Sequence, residues 1–295
     1  MVHAPIENPG ARLRDLMAQG LVVMPGVFSA LSALCAAKAG AQAGYVSGAA
    51  VTNSYLAMPD IGLLTLNEMA TQARMICQAA PIPFIADADT GYGEVWNVTR
   101  CVIEMERAGL AGIHLEDQLM PKKCGHLDGK ALVAPHEMAR KLLAAAEAKS
   151  QTDFLLIART DARGVEGLES AIDRAKLYCD FGAEAVFPEG LHNEEEFEAF
   201  RKAIDVPLLA NMTEFGKTPI IPARRFSEMG YNMVIFPVSA MRVKLKAVTA
   251  FYADLIEKGT QADWIDRMTT RAELYDLIDY PLYEETDQAW ATQSE

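Results

Sequence analysis

The chain has 295 residues, of which 51% are hydrophobic and 23% charged, and its formal net charge is −13 at pH 7. This acidic balance argues against a nucleic-acid partner, because phosphate binding needs a basic face. No apolar run approaches the roughly 18–20 residues of a membrane span, and residues 1–10 lack the basic-then-apolar pattern of a signal peptide. The five cysteines are scattered and have no paired spacing, which favours a cytoplasmic location over a disulfide framework or a zinc site.

Short apolar runs recur along the chain and alternate with helical patterns. Runs of this length, bounded by polar turns, are typical of parallel strands that are covered on both faces. The eight predicted strands are Leu21–Phe28, Gly44–Gly48, Pro83–Asp89, Gly112–Asp117, Phe154–Asp161, Ala185–Glu189, Pro207–Thr213 and Asn232–Ser239.

The segments between these runs have the apolar spacing of helices. Several of them end in a glycine just before the next strand, at Gly40, Gly109, Gly182 and Gly230, which suits the left-handed residue that closes a helix. Eight alternations of strand and helix close most naturally into an α/β fold of the (β/α)₈ TIM-barrel type. An open doubly wound sheet is the alternative.

More helix follows the eighth strand than a barrel needs. An apolar stripe runs from Met241 to Leu255, and a second helical pattern extends from Asp263 to about Asp279. Because no linker divides the chain, residues 1–295 are predicted to form one barrel domain with a helical extension over about 241–295. Such an extension usually packs on its own barrel or on a neighbouring subunit.

Two aspartates end the third predicted strand, at the edge where barrel enzymes have their active sites. The alternation of side chains along a strand places Asp87 and Asp89 on the same face. Two carboxylates this close repel each other unless a cation or a proton lies between them. Mg²⁺ is held by one or two such carboxylates and leaves positions for substrate oxygens, so a magnesium site is predicted. The alternative is that one aspartate caps a helix and the other binds backbone amides.

Two further polar residues share one face of the fourth strand. Glu116 is a candidate for binding metal-bound waters, and His114 is a candidate for neutralising an oxyanion. A lone histidine in a strand is more often a satisfied core residue, but the neighbouring acidic groups favour a role in the site.

A polar, glycine-containing segment from Pro121 to Lys130 follows this strand. It is too long for a minimal turn, so it is a candidate lid. Cys124 lies between lysines and a histidine, and positive surroundings stabilise a thiolate. Such a thiol can donate a proton to a developing carbanion and remain as the anion afterwards. The alternative is an incidental cysteine in a solvated basic loop.

The later strands end in polar groups, of which the arginines can bind carboxylates. Arg159 offers a planar fork after the fifth strand. Glu189 ends the sixth strand, Asn211 and Thr213 end the seventh, and Arg242 lies just past the eighth. Polar groups at this many strand ends favour a barrel enzyme with an anionic substrate.

Four segments carry recognisable motifs: Asp87-Ala-Asp89-Thr-Gly, His-Leu-Glu116-Asp-Gln, Lys122-Lys-Cys124-Gly-His126 and Asn211-Met-Thr-Glu-Phe-Gly-Lys-Thr-Pro219. With these motifs the chain resembles the isocitrate lyase and phosphoenolpyruvate mutase superfamily, most of all its 2-methylisocitrate lyase branch. The resemblance covers nearly the whole chain. Lys123 and Ala49 depart from that branch, and the residues that flank the cysteine motif look closer to the 2,3-dimethylmalate lyase and oxaloacetate hydrolase branches.

The resemblance implies a Mg²⁺-dependent lyase, with Mn²⁺ as a substitute, that cleaves a small anionic polycarboxylate by retro-aldol-type chemistry. For 2-methylisocitrate the products are pyruvate and succinate. Asp87 and Asp89 are implied to bind the metal directly, and Asp60 and Glu116 through water. The residues implied to take part in catalysis are Cys124 as general acid, Tyr45 as a candidate base, Glu116, His114 and Arg159. The residues implied to bind substrate are Ser47, Gly48, Ala49, Gly125, His126, Arg159, Glu189, Asn211, Thr213, Arg242 and Arg271.

Several alternatives stay open at this point. A 2,3-dimethylmalate lyase releases pyruvate and propionate, and an oxaloacetate hydrolase releases oxalate and acetate. An isomerase that moves a C–P bond does not need the cysteine segment, and a non-catalytic binding barrel does not need the polar strand ends. The superfamily typically forms homotetramers that exchange C-terminal helices, which would explain the helical extension.

Overall fold

Eight parallel strands form the centre of the molecule. The computed structural model describes residues 6–292. Positions 1–5 and 293–295 of the predicted domain lie outside these residues. Positions 1–5 are also the first half of the segment 1–10, which lacks a signal-peptide pattern. Each predicted run contains one strand, with shorter bounds because the ends of each run leave the hydrogen-bonded ladder. The strands are β1 (Val22–Val27), β2 (Gly44–Val46), β3 (Phe84–Asp87), β4 (Gly112–Glu116), β5 (Leu155–Thr160), β6 (Ala185–Pro188), β7 (Leu209–Asn211) and β8 (Met233–Phe236).

The helices separate these strands and continue beyond the last one. The four glycines predicted to close helices all have positive φ, as the left-handed conformation requires. Over the described residues the α-helices are α1 (Pro9–Gln19), α2 (Ala30–Lys38), α3 (Gly48–Val51), α4 (Leu66–Ala79), α5 (Val95–Arg107), α6 (Pro135–Ala148), α7 (Leu168–Asp180), α8 (Glu194–Ala203), α9 (Ala223–Glu228), α10 (Ser239–Lys258), α11 (Arg271–Leu277) and α12 (Tyr280–Thr292).

The strand order shows a nearly closed barrel. Strands that follow one another in the chain are paired in parallel from β1 to β6, and β7 pairs with β8. The ring continues where β8 pairs with β1, and a single bridge between Val186 and Leu208 links β6 to β7. The (β/α)₈ prediction is therefore confirmed, and the open doubly wound sheet is wrong.

The strands bury both of their faces, as the continuous apolar runs predicted. One cluster of side chains, which includes Met24, Ile85, Ile157 and Met233, fills the inside of the barrel. Leu13 of α1 joins this cluster beside residues from the first positions of the strands. Because the strands are parallel, their carboxyl ends meet at one rim, where the polar strand ends of the sequence come together.

The C-terminal helices differ from the barrel, because no residue from 239 to 292 is buried. The predicted stripe lies on α10, where two of its members, Leu245 and Tyr252, are 61% and 58% exposed, and Ile256 just beyond it is 85% exposed. The second predicted pattern is not one helix: a 3₁₀ turn covers Ala262–Arg267 before α11 begins. Among residues 6–292 no helix has the length and apolar character needed to cross a membrane.

Candidate active site

A cavity of about 290 Å³ opens at the rim formed by the carboxyl ends of the strands. Its walls come from strand ends, from the segment after β4 and from the start of α10. Most of the residues predicted to form a site line this cavity, although they are far apart in the sequence. They are Tyr45, Ser47, Ala49, Asp60, Asp87, Cys124, Gly125, His126, Arg159, Glu189, Asn211, Thr213 and Arg242.

The other predicted site residues do not line the cavity. Gly48 lies directly behind it, where a Cβ atom would be 2.6 Å from Oδ2 of Asp87, so only glycine fits without a shift. His114 and Glu116 are buried beneath it. Arg271 begins the exposed helix α11 and is not among the lining residues of its own chain, so its role in substrate binding stays a prediction.

Asp87 and Asp89 do not share a strand face as the alternation predicted. Strand β3 ends at Asp87, and Asp89 has a left-handed backbone with φ of 47°. Its backbone N–H donates to Oδ1 of Asp87 at 2.9 Å, so the chain turns between the two residues. Asp87 consequently lines the cavity, whereas Oδ1 of Asp89 lies 2.5 Å from the ammonium of Lys122.

The acidic groups at this end of β3 surround the ammonium of Lys122. Its Nζ lies 2.6 Å from Oδ1 of Asp60 as well, and its side chain is 2% exposed. Burial raises the pKa of Asp89 to about 6, against the opposing effect of Lys122. Burial also opposes ionisation of Asp87, but His114, Lys122 and Arg159 outweigh it and hold the pKa of Asp87 below its ordinary value. The cluster therefore accommodates a cation.

Tyr45 in the cavity wall and His114 beneath it form a buried pair. The hydroxyl of Tyr45 lies 2.8 Å from Nε2 of His114, and the two rings are stacked. Burial, reinforced by the negative charge of Asp87, raises the pKa of Tyr45 well above its ordinary value. Burial lowers the pKa of His114 to about 4. These directions favour a protonated phenol and a neutral imidazole, so they do not favour Tyr45 as the base.

Arg159 is held among three acidic side chains. Its Nε donates to Oδ2 of Asp161 at 2.9 Å, and its guanidinium nitrogens lie 3.3 Å from Glu116 and 3.5 Å from Glu189. The guanidinium carbon lies 5.1 Å from the centre of the Phe187 ring. Burial disfavours the charge, yet Asp161 and the other carboxylates raise the pKa of Arg159 well above its ordinary value. A permanent, oriented cation therefore faces the cavity.

The segment at 119–132, which we call the lid, covers one side of the cavity. The side-chain amide of Gln118 accepts from the backbone N–H of Lys123 at 2.9 Å and donates to its carbonyl at 2.8 Å. Nε2 of His126 lies 3.1 Å from Oε1 of Glu189. These contacts hold the middle of the lid against the strand ends.

Cys124 lines the cavity, but its thiol differs from the predicted one. Cys124 as a whole residue is exposed, but its thiol is surrounded by the cavity walls, which exclude water. This desolvation raises the pKa of the thiol above its ordinary value. Of the two lysines that precede Cys124, Lys122 is paired with Asp60 and Asp89, whose negative charges offset its own. The prediction of a stabilised thiolate is therefore wrong for this conformation, and the protonated thiol is favoured.

Sequence reasoning missed the apolar wall of the cavity. Phe187, Ile235, Val238 and Met241 line it beside the charged groups. Each lies in or next to a predicted strand or helix, where an apolar residue is read as core. Sequence reasoning also missed Asn53, which lies in a helical segment and carries no motif.

Comparison with known proteins places this site in a family. The family model described as phosphoenolpyruvate phosphomutase matches residues 13–256, which is most of the chain. The chain belongs to this family. The resemblance to the isocitrate lyase and phosphoenolpyruvate mutase superfamily is thereby confirmed.

Members of the family include enzymes with different reactions. A 2-methylisocitrate lyase of Aeropyrum pernix is 52% identical, and the match covers 100% of this chain and 95% of that protein. The crystal structure of a 2,3-dimethylmalate lyase is 34% identical with a TM-score of 0.91, covering 97% of this chain and 96% of that one. A phosphonopyruvate hydrolase in complex with oxalate and Mg²⁺ is 27% identical with a TM-score of 0.84, covering 98% and 99%.

Proposed function

We propose that this protein is a divalent-metal-dependent lyase that cleaves 2-methylisocitrate to pyruvate and succinate. The observation that carries the proposal is the thiol of Cys124 in the same cavity as Asp87 and Arg159. The 52% identity to the Aeropyrum pernix 2-methylisocitrate lyase over the whole chain favours this substrate over 2,3-dimethylmalate, because the 2,3-dimethylmalate lyase of Eubacterium barkeri is 40% identical.

The acidic cluster fits a hard divalent cation. Asp87, Asp89 and Glu116 are buried, and both carboxylate oxygens of Glu116 lack a hydrogen-bond partner among the described residues. The ammonium of Lys122 is a stand-in cation between Asp60 and Asp89. Oxygen donors of this kind suit Mg²⁺ or Mn²⁺, and the Mg²⁺ of the phosphonopyruvate hydrolase complex supports the choice.

The acidic side chains of this cluster do not point at one common position. Within residues 6–292 no group of three or more His, Cys, Asp and Glu side chains has the geometry of a metal site. The reason is local: Asp87 faces the cavity while Asp89 faces Lys122. We propose that Asp87 and Asp89 hold the ion directly and that Asp60 and Glu116 hold it through water. When bound, the ion would supply positive charge that lowers the pKa of the substrate hydroxyl.

The remaining steps are carried by side chains of the cavity. Arg159 and Arg242 bind substrate carboxylates, and Asn211, Thr213 and Ser47 bind further oxygens. Glu116, whose carboxylate oxygens lack a hydrogen-bond partner among the described residues, accepts the proton of the 2-hydroxyl through a water. The C2–C3 bond then breaks, which leaves a keto acid and a carbanion next to a carboxylate. The thiol of Cys124 donates its proton to that carbanion, and its raised pKa keeps the proton in place until then.

The protein is proposed to act as a homotetramer in the cytoplasm. The exposed apolar side chains of α10 need a partner surface, and a second copy of the chain is the partner that the resemblance implies. All five cysteines are unpaired, which suits a reducing compartment.

An assay of pyruvate release tests the proposal. We expect the highest kcat/KM with 2-methylisocitrate, lower values with isocitrate and 2,3-dimethylmalate, and no conversion of oxaloacetate to oxalate and acetate. EDTA should abolish turnover, and Mg²⁺ or Mn²⁺ should restore it. Turnover that is unaffected by EDTA would contradict the metal, and preferred cleavage of 2,3-dimethylmalate or oxaloacetate would contradict the substrate.

A further inference from the structure

Lys130, at the end of the lid, is buried although it belongs to a polar loop. Its side chain is 3% exposed, and its ammonium donates to Oδ1 of Asp161 at 2.9 Å. The same ammonium donates to the carbonyl of Gly125, the residue after Cys124. A Cβ atom at Gly164 would lie 3.5 Å from this nitrogen, so the turn after β5 closes over it. The lysine therefore joins the cysteine end of the lid to the end of β5.

Asp161 holds the cavity arginine as well as the lid lysine. Its side chain is fully buried: Oδ2 accepts from Nε of Arg159 at 2.9 Å, and Oδ1 accepts both from Lys130 at 2.9 Å and from Nη2 of Arg159 at 3.3 Å. Its backbone N–H donates to Oδ1 of Asp117 at 2.9 Å. Asp117 in turn accepts from the hydroxyl of Tyr178 at 2.8 Å. Asp117 thus fixes the position of Asp161 from the side away from the cavity, and the carboxylate of Asp161 contacts two cations at once.

We propose that Lys130 and Asp161 are positioning residues: the ion pair latches the lid closed and couples its closure to the orientation of Arg159. If the lid opened, the ammonium of Lys130 would move away from Asp161, and Asp161 would then be paired with Arg159 alone. In the closed lid the ammonium shares Oδ1 with Nη2 of Arg159, and this shared contact fixes the guanidinium toward the cavity. The part that concerns Arg159 and substrate rests on the proposed function, whereas the latch rests on the contacts alone.

Hydrogen–deuterium exchange of the lid peptide tests the latch without any substrate. The backbone amides of Lys123 and Leu127 donate hydrogen bonds within this conformation of the lid. Lys130→Met removes the ammonium and keeps the aliphatic stem. Because hydrogen bonds to charged groups are among the stronger ones, we expect exchange in residues 119–132 to be about ten- to one-hundred-fold faster.

A matched variant separates the latch from an ordinary surface ion pair of the lid. Lys217 pairs with Asp128, whose side chain is 92% exposed. Lys217→Met should change exchange of the lid peptide by less than about two-fold, because exposed pairs contribute little. Equal effects of Lys130→Met and Lys217→Met, or no effect of Lys130→Met, would overturn the proposal.

A double-mutant comparison tests whether Lys130 acts through Asp161. Asp161→Asn should accelerate exchange of the lid peptide too, and the double variant should exchange no faster than the faster single variant. Effects that multiply would show that the two residues act separately and would overturn the coupling. In the pyruvate assay, Lys130→Met should lower kcat/KM and Lys217→Met should not. A protein without lyase activity that still gives the exchange pattern would refute the proposed function and keep the latch.

Discussion

The rim of the barrel and the C-terminal helices both depart from the usual rule that charged side chains are exposed and apolar side chains are buried. At the rim, charged groups such as Asp87, Glu116 and Arg159 are buried. In α10, apolar groups such as Leu245 and Ile256 are exposed. Buried charges are costly unless they are paired, and exposed apolar surface is costly unless a partner covers it. The first departure therefore indicates a site for chemistry, and the second supports the assembly proposed for this protein.

The largest expected effect concerns the thiol at the rim. Cys124→Ser should lower kcat for 2-methylisocitrate cleavage by about a thousand-fold, because a hydroxyl is a poorer proton donor and general acids commonly contribute on this scale. Steady-state pyruvate release measures it. Cys35→Ser is the matched control, since Cys35 is exposed on α2 and does not line the cavity. A Cys124→Ser enzyme that turns over at the rate of the control would remove the acid role.

The next effect concerns the buried charges that support the rim. Arg174 donates to Asp117, to the carbonyl of Val133 and to Glu166. Arg174→Met leaves the buried Asp117 without its cation, which should lower the free energy of unfolding by about 3 kcal/mol. Urea denaturation measures this loss.

A surface arginine is the control for this substitution. Arg225 pairs with Glu194 at 2.6 Å on side chains that are about one-third exposed, so Arg225→Met should leave the denaturation midpoint almost unchanged. If both variants unfold at the same urea concentration, the Asp117 network does not support the barrel in the way proposed.

The smallest effect on folding is expected in the C-terminal helices. Ile256→Glu on α10 should change the free energy of unfolding of the single chain by about 0.5 kcal/mol or less, because the side chain is 85% exposed. It should nevertheless dissociate the assembly, since a buried interface does not tolerate an unpaired carboxylate. Light scattering should give four times the 32.2 kDa chain mass for the unmodified protein and a smaller mass for the variant.

Val165→Glu, on the turn after β5, provides the comparison for α10. Its side chain is 45% exposed, and it belongs to the barrel rather than to the helical extension. We expect it to leave the mass unchanged. An unmodified protein that is monomeric, or an Ile256→Glu variant with unchanged mass, would contradict the assembly proposed for α10.

The sequence by itself determined the barrel fold and many of the side chains that lie at its rim. Eight apolar runs predicted eight strands, and the rule that carboxyl ends of parallel strands meet brought residues as distant as Asp87 and Arg242 into one cavity. This succeeded because strand periodicity and strand ends are local properties of the chain. The same locality explains why the apolar wall at Phe187 and Met241 was read as core.

Only the tertiary structure decided how the charges at the rim are paired. The turn after β3 sends Asp89 toward Lys122 rather than beside Asp87, because strand alternation ends where the strand ends. Lys122, one of the two lysines expected to stabilise the thiolate of Cys124, is paired instead with Asp60 and Asp89. The partner of a charge depends on which loop folds over it, and no pattern within a short stretch of sequence contains that information.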